Sequence, residues 1–235
     1  MNLLSGLEKF GLEISEDMDI FEEDKPKTSA STEAAGEKPD IPTEDMFLLE
    51  KGIRCPVCDK VFKTKMIKNG RVKRLESDKD LRPRHQYIDT LKYDICSCPH
   101  CGYTAMTRFF PHITNVQSKL IKENICSKFH AQIEPEPAVY DYDRALERYK
   151  LSLFNTIVKK GKTSEKAYTC LKIAWLYRGK AETLDAATEE GKAAIAECKK
   201  EEEAFYKQAY DGMLKAVSTE TVSYTHLTLP TKLEV

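Results

Sequence analysis

The sequence predicts an α+β fold that is mostly α: a small β-domain followed by antiparallel helical hairpins. Three observations carry that expectation. Two Cys-x-x-Cys turns, Cys55–Cys58 and Cys98–Cys101, lie among short β-prone runs between Phe47 and Phe110. From Thr114 onward apolar residues recur at the helical period. No uninterrupted apolar run in the 235 residues approaches the roughly 18 needed to span a membrane.

At the N-terminus, Leu3, Leu7, Phe10 and Ile14 fall on one face of a short amphipathic helix over 1–14, weakened by Gly6 and Gly11. Residues 15–46 are rich in acids, Ser, Thr, Ala, Gly and Pro. They lack the apolar content that offsets chain entropy and read as a disordered acidic linker. The overall net charge of −1 hides an asymmetry: residues 1–50 carry −10 and residues 51–84 carry +8.

The β-domain is expected over 47–110. Val61–Ile67 and Arg71–Leu75 flank Asn69-Gly70, which favours a two-residue hairpin turn because both central positions need positive φ. Tyr93, Asp94, Ile95 and Cys96 read as a third strand leading into the second cysteine pair.

The helical domain is expected over 111–220. Val116 and Leu120, with Cys126 and Phe129 further along, mark a helix after Pro111, and Pro135 and Pro137 end that segment. Asp141 caps the next helix, with Leu146, Tyr149, Leu153 and Ile157 on one stripe. A turn holding Gly161 leads to Ser164, read as the cap of a helix bearing Ala167, Leu171, Ala174 and Trp175. The last helix aligns Phe205, Ala209, Gly212 and Ala216. Short connections make these helices antiparallel neighbours. Residues 222–235 break the pattern with Pro230 and several Thr. They resemble translated adapter sequence found at the ends of assembled gene fragments and are read as non-native, so His226 carries no functional weight.

The chemistry lies in the cysteines. Eight of them with no export signal fit a reducing cytoplasm, where paired cysteines hold metal more often than disulfides. Two residues between thiolates let one tight turn aim both sulfurs at a single tetrahedral Zn²⁺, and two such turns brought together form a zinc ribbon. Cys55, Cys58, Cys98 and Cys101 are the expected ligands. Cys96 lies on the same strand face as Cys98 and can replace it, although the Pro-x-Cys-Gly turn follows Cys98 alone. Four thiolates leave no open position for water, so the ion is expected to be structural. A redox dithiol lacks its βαβ context, and an iron–sulfur cluster fits paired Cys-Pro-x-Cys turns less well. His85, His100, His112 and His130 read as non-ligands, and Cys126, Cys170 and Cys198 as small buried hydrophobes.

Several stretches together carry a family resemblance. MNLLSGLEKFGL, CPVCDKVFKTK, SDKDLRP, YDICSCPHCGYTA and AYTCLKIAWLYRG resemble a bacterial family, common in Firmicutes, known as domain of unknown function 2225. The likeness extends from the N-terminus to about residue 218. It implies a zinc-ribbon-like head on the four cysteine ligands named above, and a helical tail similar to tetratricopeptide repeats. It implies no reaction. The spacing departs from a regular repeat: Ala209 follows Ala145 by 64 residues rather than about 34, so an insertion near 180–200 lengthens one hairpin.

The leading functional expectation is a cytoplasmic, non-enzymatic interaction or scaffold module with one structural Zn²⁺ and a protein or peptide partner. Trp175, Tyr177 and Tyr149 are candidates either for a binding groove or, by the simpler reading, for the helical core. The alternative is RNA or DNA binding through Lys63, Lys65, Lys68, Arg71, Lys73, Arg74, Arg82 and Arg84, with Tyr87 and Tyr93 for stacking. Catalysis is not expected: no phosphate loop, nucleophile elbow or paired-carboxylate constellation is present, and Asp78, Asp80 and His85 have no nucleophile to activate.

Overall fold

The computed structural model describes residue 11 and residues 42–68, 70–131 and 136–220. The expected N-terminal helix, most of the acidic linker and the 222–235 tail lie outside the described residues.

Two short antiparallel hairpins build the head. Strand β1 (Leu48–Arg54) pairs with β2 (Val61–Ile67), Leu48 opposite Ile67 and Arg54 opposite Val61. Strand β3 (Ile95–Ser97) pairs with β4 (Thr104–Met106), Cys96 opposite Ala105. The first pairing corrects the expected hairpin of 61–67 with 71–75. Gly70 does take a positive φ of 86°, but Arg71–Leu75 leaves the sheet, and only Arg74 bridges, to His85. The cysteine turn closes β1 onto β2 instead: the Cys55 amide donates to the Lys60 carbonyl (3.0 Å) and the Asp59 amide to the Cys55 carbonyl (2.9 Å). Along β2, Phe62 and Thr64 are buried and Lys63 points out, the alternation of a one-sided strand.

Helix α1 (Asn115–Ile121) starts at a capping box in which Thr114 accepts from the Gln117 amide and Gln117 accepts from the Thr114 amide. It continues as one π-turn, Lys122–Cys126, which keeps Ile121 and Ile125 buried. Helix α2 (Tyr142–Val158) is capped by Asp141, whose carboxylate accepts from the Arg144 amide at 2.7 Å. Its stripe of Leu146, Tyr149 and Leu153 is buried as expected. Helix α3 (Thr163–Thr183) starts at Lys162 without a side-chain cap, so Ser164 is not the cap. The Ser164 amide is held by the Glu220 carboxylate at the far end of α4 (2.8 Å).

Helix α4 (Glu189–Thr219) buries Phe205, Ala209, Gly212 and Ala216. Ser164 meets Glu220 and Arg178 meets Glu202, so α3 and α4 run antiparallel; Lys159 with Glu165 and Lys180 with Asp143 set the same relation for α2 and α3. At 21 and 31 residues, α3 and α4 exceed what a repeat of about 34 residues holds. The lengthened hairpin is α3–α4.

One hydrophobic core runs from Cys55 and Val57 in the head, through Tyr149 and Leu153 of α2, to Phe205 and Ala209 of α4. Tyr149, Trp175 and Tyr177 belong to it, at 0%, 4% and 8% exposure. Helix α2 joins the layers. Its Arg148 donates to the Ile95 carbonyl (2.7 Å), and its Tyr149 hydroxyl to the Leu91 carbonyl (3.0 Å). A satellite cluster of Phe47, Leu48, Ile88, Tyr93 and Tyr140 closes the edge, with the two tyrosine rings stacked at 5.1 Å.

The loop between the hairpins is clamped to α3 and α4 by charge. The Arg82 side chain is 2% exposed and pairs with Asp89 (3.2 Å) and Glu182 (3.2 Å); Arg84 pairs with Asp78 (2.8 Å) and Glu182 (2.6 Å). Asp80 accepts from the indole of Trp175 (2.8 Å) and from the Tyr206 hydroxyl (2.6 Å), and pairs with Arg178 (2.9 Å). Two motifs almost a hundred residues apart in the chain, SDKDLRP and AYTCLKIAWLYRG, thus meet face to face.

Burial alone would raise the Asp80 carboxyl, but Tyr206, Trp175 and Arg178 outweigh it and hold it below the usual range. A depressed carboxyl contributes stability that is fully present above its unfolded value near 4 and is lost as pH falls below it. Asp80→Asn should therefore lose about 1–3 kcal/mol near neutral pH, and its deficit against the parent should shrink below about pH 4. Denaturant unfolding across pH, followed by the single tryptophan, checks this; a pH-independent deficit would refute the assignment.

Candidate metal centre

Each cysteine pair sits at the tip of one hairpin, and the two tips repeat the same local geometry. In the second, the Cys98 amide donates to the Tyr103 carbonyl (2.9 Å) and the Gly102 amide to the Cys98 carbonyl (3.0 Å), matching the bonds around Cys55. The residue after each second cysteine takes a left-handed conformation: Asp59 at φ 63° and Gly102 at φ 74°. Only the second position is closed to a side chain, because a Cβ on Gly102 would lie 2.4 Å from the Phe129 ring. Asn155 of α2 donates to the Gly102 carbonyl (3.2 Å) and fixes this turn against the helix.

The four sulfurs converge. Cys55 and Cys101 approach to 3.6 Å, as do Cys58 and Cys98, and all four lie within 4.8 Å of one another. Disulfide sulfurs would be about 2.05 Å apart. A tetrahedral zinc about 2.3 Å from each sulfur would space them about 3.8 Å apart, close to what is seen. Backbone amides support the sulfurs: those of Cys58 and Val57 face Cys55, that of His100 faces Cys98 and that of Tyr103 faces Cys101.

The electrostatics call for a cation. Hydrogen bonding to Cys101 and Cys98 holds the Cys55 thiol well below its usual value. Hydrogen bonding to Cys101 lowers the Cys98 thiol, but its hydrogen bond with Cys55, burial and the Cys55 charge outweigh this and raise it. Four sulfurs this close repel one another as thiolates unless a cation lies among them. A divalent ion removes that conflict, so this donor set fits zinc held as a closed structural site.

Cys96 lies outside the cluster. It is 1% exposed, faces Arg148 and Thr64, and burial pushes its thiol up to about 12. Cys126 differs from the expected inert hydrophobe: it is half-buried at the end of the π-turn, with its thiol against Cys101. Cys170 and Cys198 are buried as expected. Among the described residues no histidine joins the sulfurs; His85 bonds Thr90 (3.1 Å), and His100, His112 and His130 are exposed.

The basic residues singled out in the sequence divide into two groups. Lys63, Arg71, Lys73 and Arg74 are exposed near the first hairpin, Lys63 3.4 Å from Glu50 and Arg74 bonded to Ser77 (3.3 Å). Lys68 donates to the Met46 carbonyl (2.9 Å). Lys65 is buried near Glu50 (3.8 Å) and Arg82 is buried in the clamp, so both face protein rather than solvent, while Arg84, a third exposed, is paired with Glu182. Tyr87 stays exposed against Phe47, whereas Tyr93 is buried.

Taken together, the fold and site define a small cysteine-rich head with a candidate metal site, merged with four helices. The chain belongs to the family described as uncharacterized protein conserved in bacteria (DUF2225), whose model matches residues 48–229. The matched span starts after the opening motif and ends inside the segment read as a tail. No curated protein and no solved structure matches the chain.

Proposed function

We propose that this protein is a non-enzymatic interaction module of the bacterial cytoplasm, in which one structural zinc holds a ribbon-like head and the tetratricopeptide-like helices present a surface to a protein or peptide partner. The observation that carries this reading is how the reactive side chains are used. Four converging sulfurs can supply a complete shell for one zinc, which would leave no position for water or substrate. The Asp78 and Asp80 carboxylates are occupied by arginine, tryptophan and tyrosine. Eight free thiols favour a reducing compartment. No helix among the described residues is long and apolar enough to cross a membrane.

Nucleic-acid binding stands as the second reading because Lys63, Lys68, Arg71, Lys73 and Arg74 remain near the first hairpin, clear of the clamp. In-cell cross-linking of the full chain with mass spectrometry separates the two. The interaction reading expects protein cross-links on the helical tail. Co-purified RNA or DNA, released steeply as salt rises, would replace it with the second reading.

A further inference from the structure

Gly11 sits tightly against the stretch that follows α1. Its φ is 76°, and a Cβ there would come within 2.3 Å of both the His130 imidazole and the Lys128 carbonyl oxygen. Backbone shape and close approach both require a glycine. Phe129, between those two contacts, packs its ring onto Gly102 of the second cysteine turn. The opening residues of the chain therefore lead into a fixed point beside the head.

Helix α1 offers them an apolar face. Ile121, and Ile125 in the π-turn, are buried, but Val116 is 72% exposed and Leu120 and Phe129 are only partly covered. Val116 and Leu120, four residues apart, share one side of the helix. The sequence before Gly11 carries the matching half: Leu3, Leu7 and Phe10 fall on one helical face. The lengths agree as well. At the helical rise Leu3 would stand about 12 Å from Gly11. On the same rise Leu120 and Val116 stand about 9 and about 15 Å from Cys126, where the π-turn ends.

We propose that residues 1–10 dock in cis as a short amphipathic helix on this outer face of α1, Phe10 against Phe129, and Leu7 and Leu3 over Leu120 and Val116. Phe10 is the residue next to the seat, so the cis arrangement needs no linker, and the helix meets the face at high effective concentration. A helix this short is marginal in water by itself, and Gly6 weakens it further, so its order should depend on the face it meets. Docking holds the stretch that carries Cys126 and Phe129 against the second cysteine turn from its outer side.

Amide hydrogen exchange tests it on the full zinc-loaded chain, with a free peptide of residues 1–14 as reference. Amides of residues 4–10 should exchange at least about tenfold more slowly in the chain than in the peptide. Val116→Asp places a charge on the face at an exposed position and should return them to the peptide rate. The same charge at exposed Asn115, off that face (Asn115→Asp), should leave the protection in place. Both variants should keep the thermal transition of the parent, since both positions are exposed. Peptide-like exchange in the parent chain, or equal loss of protection in the two variants, would overturn the proposal. So would protection that disappears on dilution together with a dimer in light scattering, because the helix would then sit on a second copy.

Discussion

Removing the metal should unfold the head and, through the shared core, destabilise the entire chain. Structural zinc contributes on the order of 10–16 kcal/mol in small thiolate sites near neutral pH. A whole domain of this kind holds only about 5–15 kcal/mol against unfolding. The sheets cannot replace that contribution: β3 and β4 are three residues each, and isolated two-stranded hairpins are marginal in water. The loss should spread, because Cys55, Cys98 and Cys101 lie in the same core as Tyr149 and Leu153. A strong chelator should therefore abolish the cooperative thermal transition and expose Trp175. Single serine substitutions at Cys55, Cys58, Cys98 or Cys101 should do nearly the same, whereas Cys96→Ser should keep the metal. Circular dichroism and tryptophan emission before and after chelation check this. An unchanged melt after complete metal removal would show that the helices fold without the head.

The second large effect is expected at the clamp. Arg82→Ala should cost about 3–5 kcal/mol, because the mostly buried Asp89 carboxylate would lose the charge that neutralises it, while Glu182 keeps Arg84. Gly179 reaches the same contact from the other side. A Cβ there would lie 2.6 Å from the Tyr142 ring and 2.7 Å from the Arg82 guanidinium, so Gly179→Ala should displace the arginine and cost about 1–3 kcal/mol. Since both changes touch the Arg82 contact, their effects should not add in full: Gly179→Ala should cost less once Arg82 is gone, the remainder coming from the Tyr142 ring. Denaturant titration of the two single variants and the double variant measures this, and strict additivity would mean that the guanidinium does not depend on the bare helix backbone at 179.

The cysteine turns were legible in the sequence because the chemistry that shapes them is local. Proline after the first cysteine and glycine after Cys101 set each turn within six residues, and the structure places all four sulfurs together. The first hairpin was misread for a related reason. Asn69-Gly70 is a strong local turn signal, while β1, with Glu50, Lys51, Gly52 and Arg54, shows almost no apolar alternation. Its pairing is imposed by the six-residue cysteine turn rather than by its own pattern. Whether Cys96 or Cys98 faced the metal depended on where β3 stops, and the register ends that ladder at Ser97, leaving Cys98 in the turn.

The clamp was illegible for a different reason. Arg82 and Arg84 read as part of a basic surface because a run of charge says nothing about what lies opposite. Their carboxylate partner Glu182 is about a hundred residues away, and no period or spacing announces it. The helices themselves were readable wherever burial follows a stripe, as in α2 and in the C-terminal half of α4. The start of α3 was not, because Glu220 from the end of α4 supplies the contact expected of Ser164.

The most direct test of the central claim is X-ray absorption on the purified full-length chain, with metal content measured on the same sample. One zinc per chain with a shell of four sulfurs at about 2.3 Å is the predicted result. A folded protein without zinc, or a zinc shell dominated by nitrogen and oxygen, would contradict it.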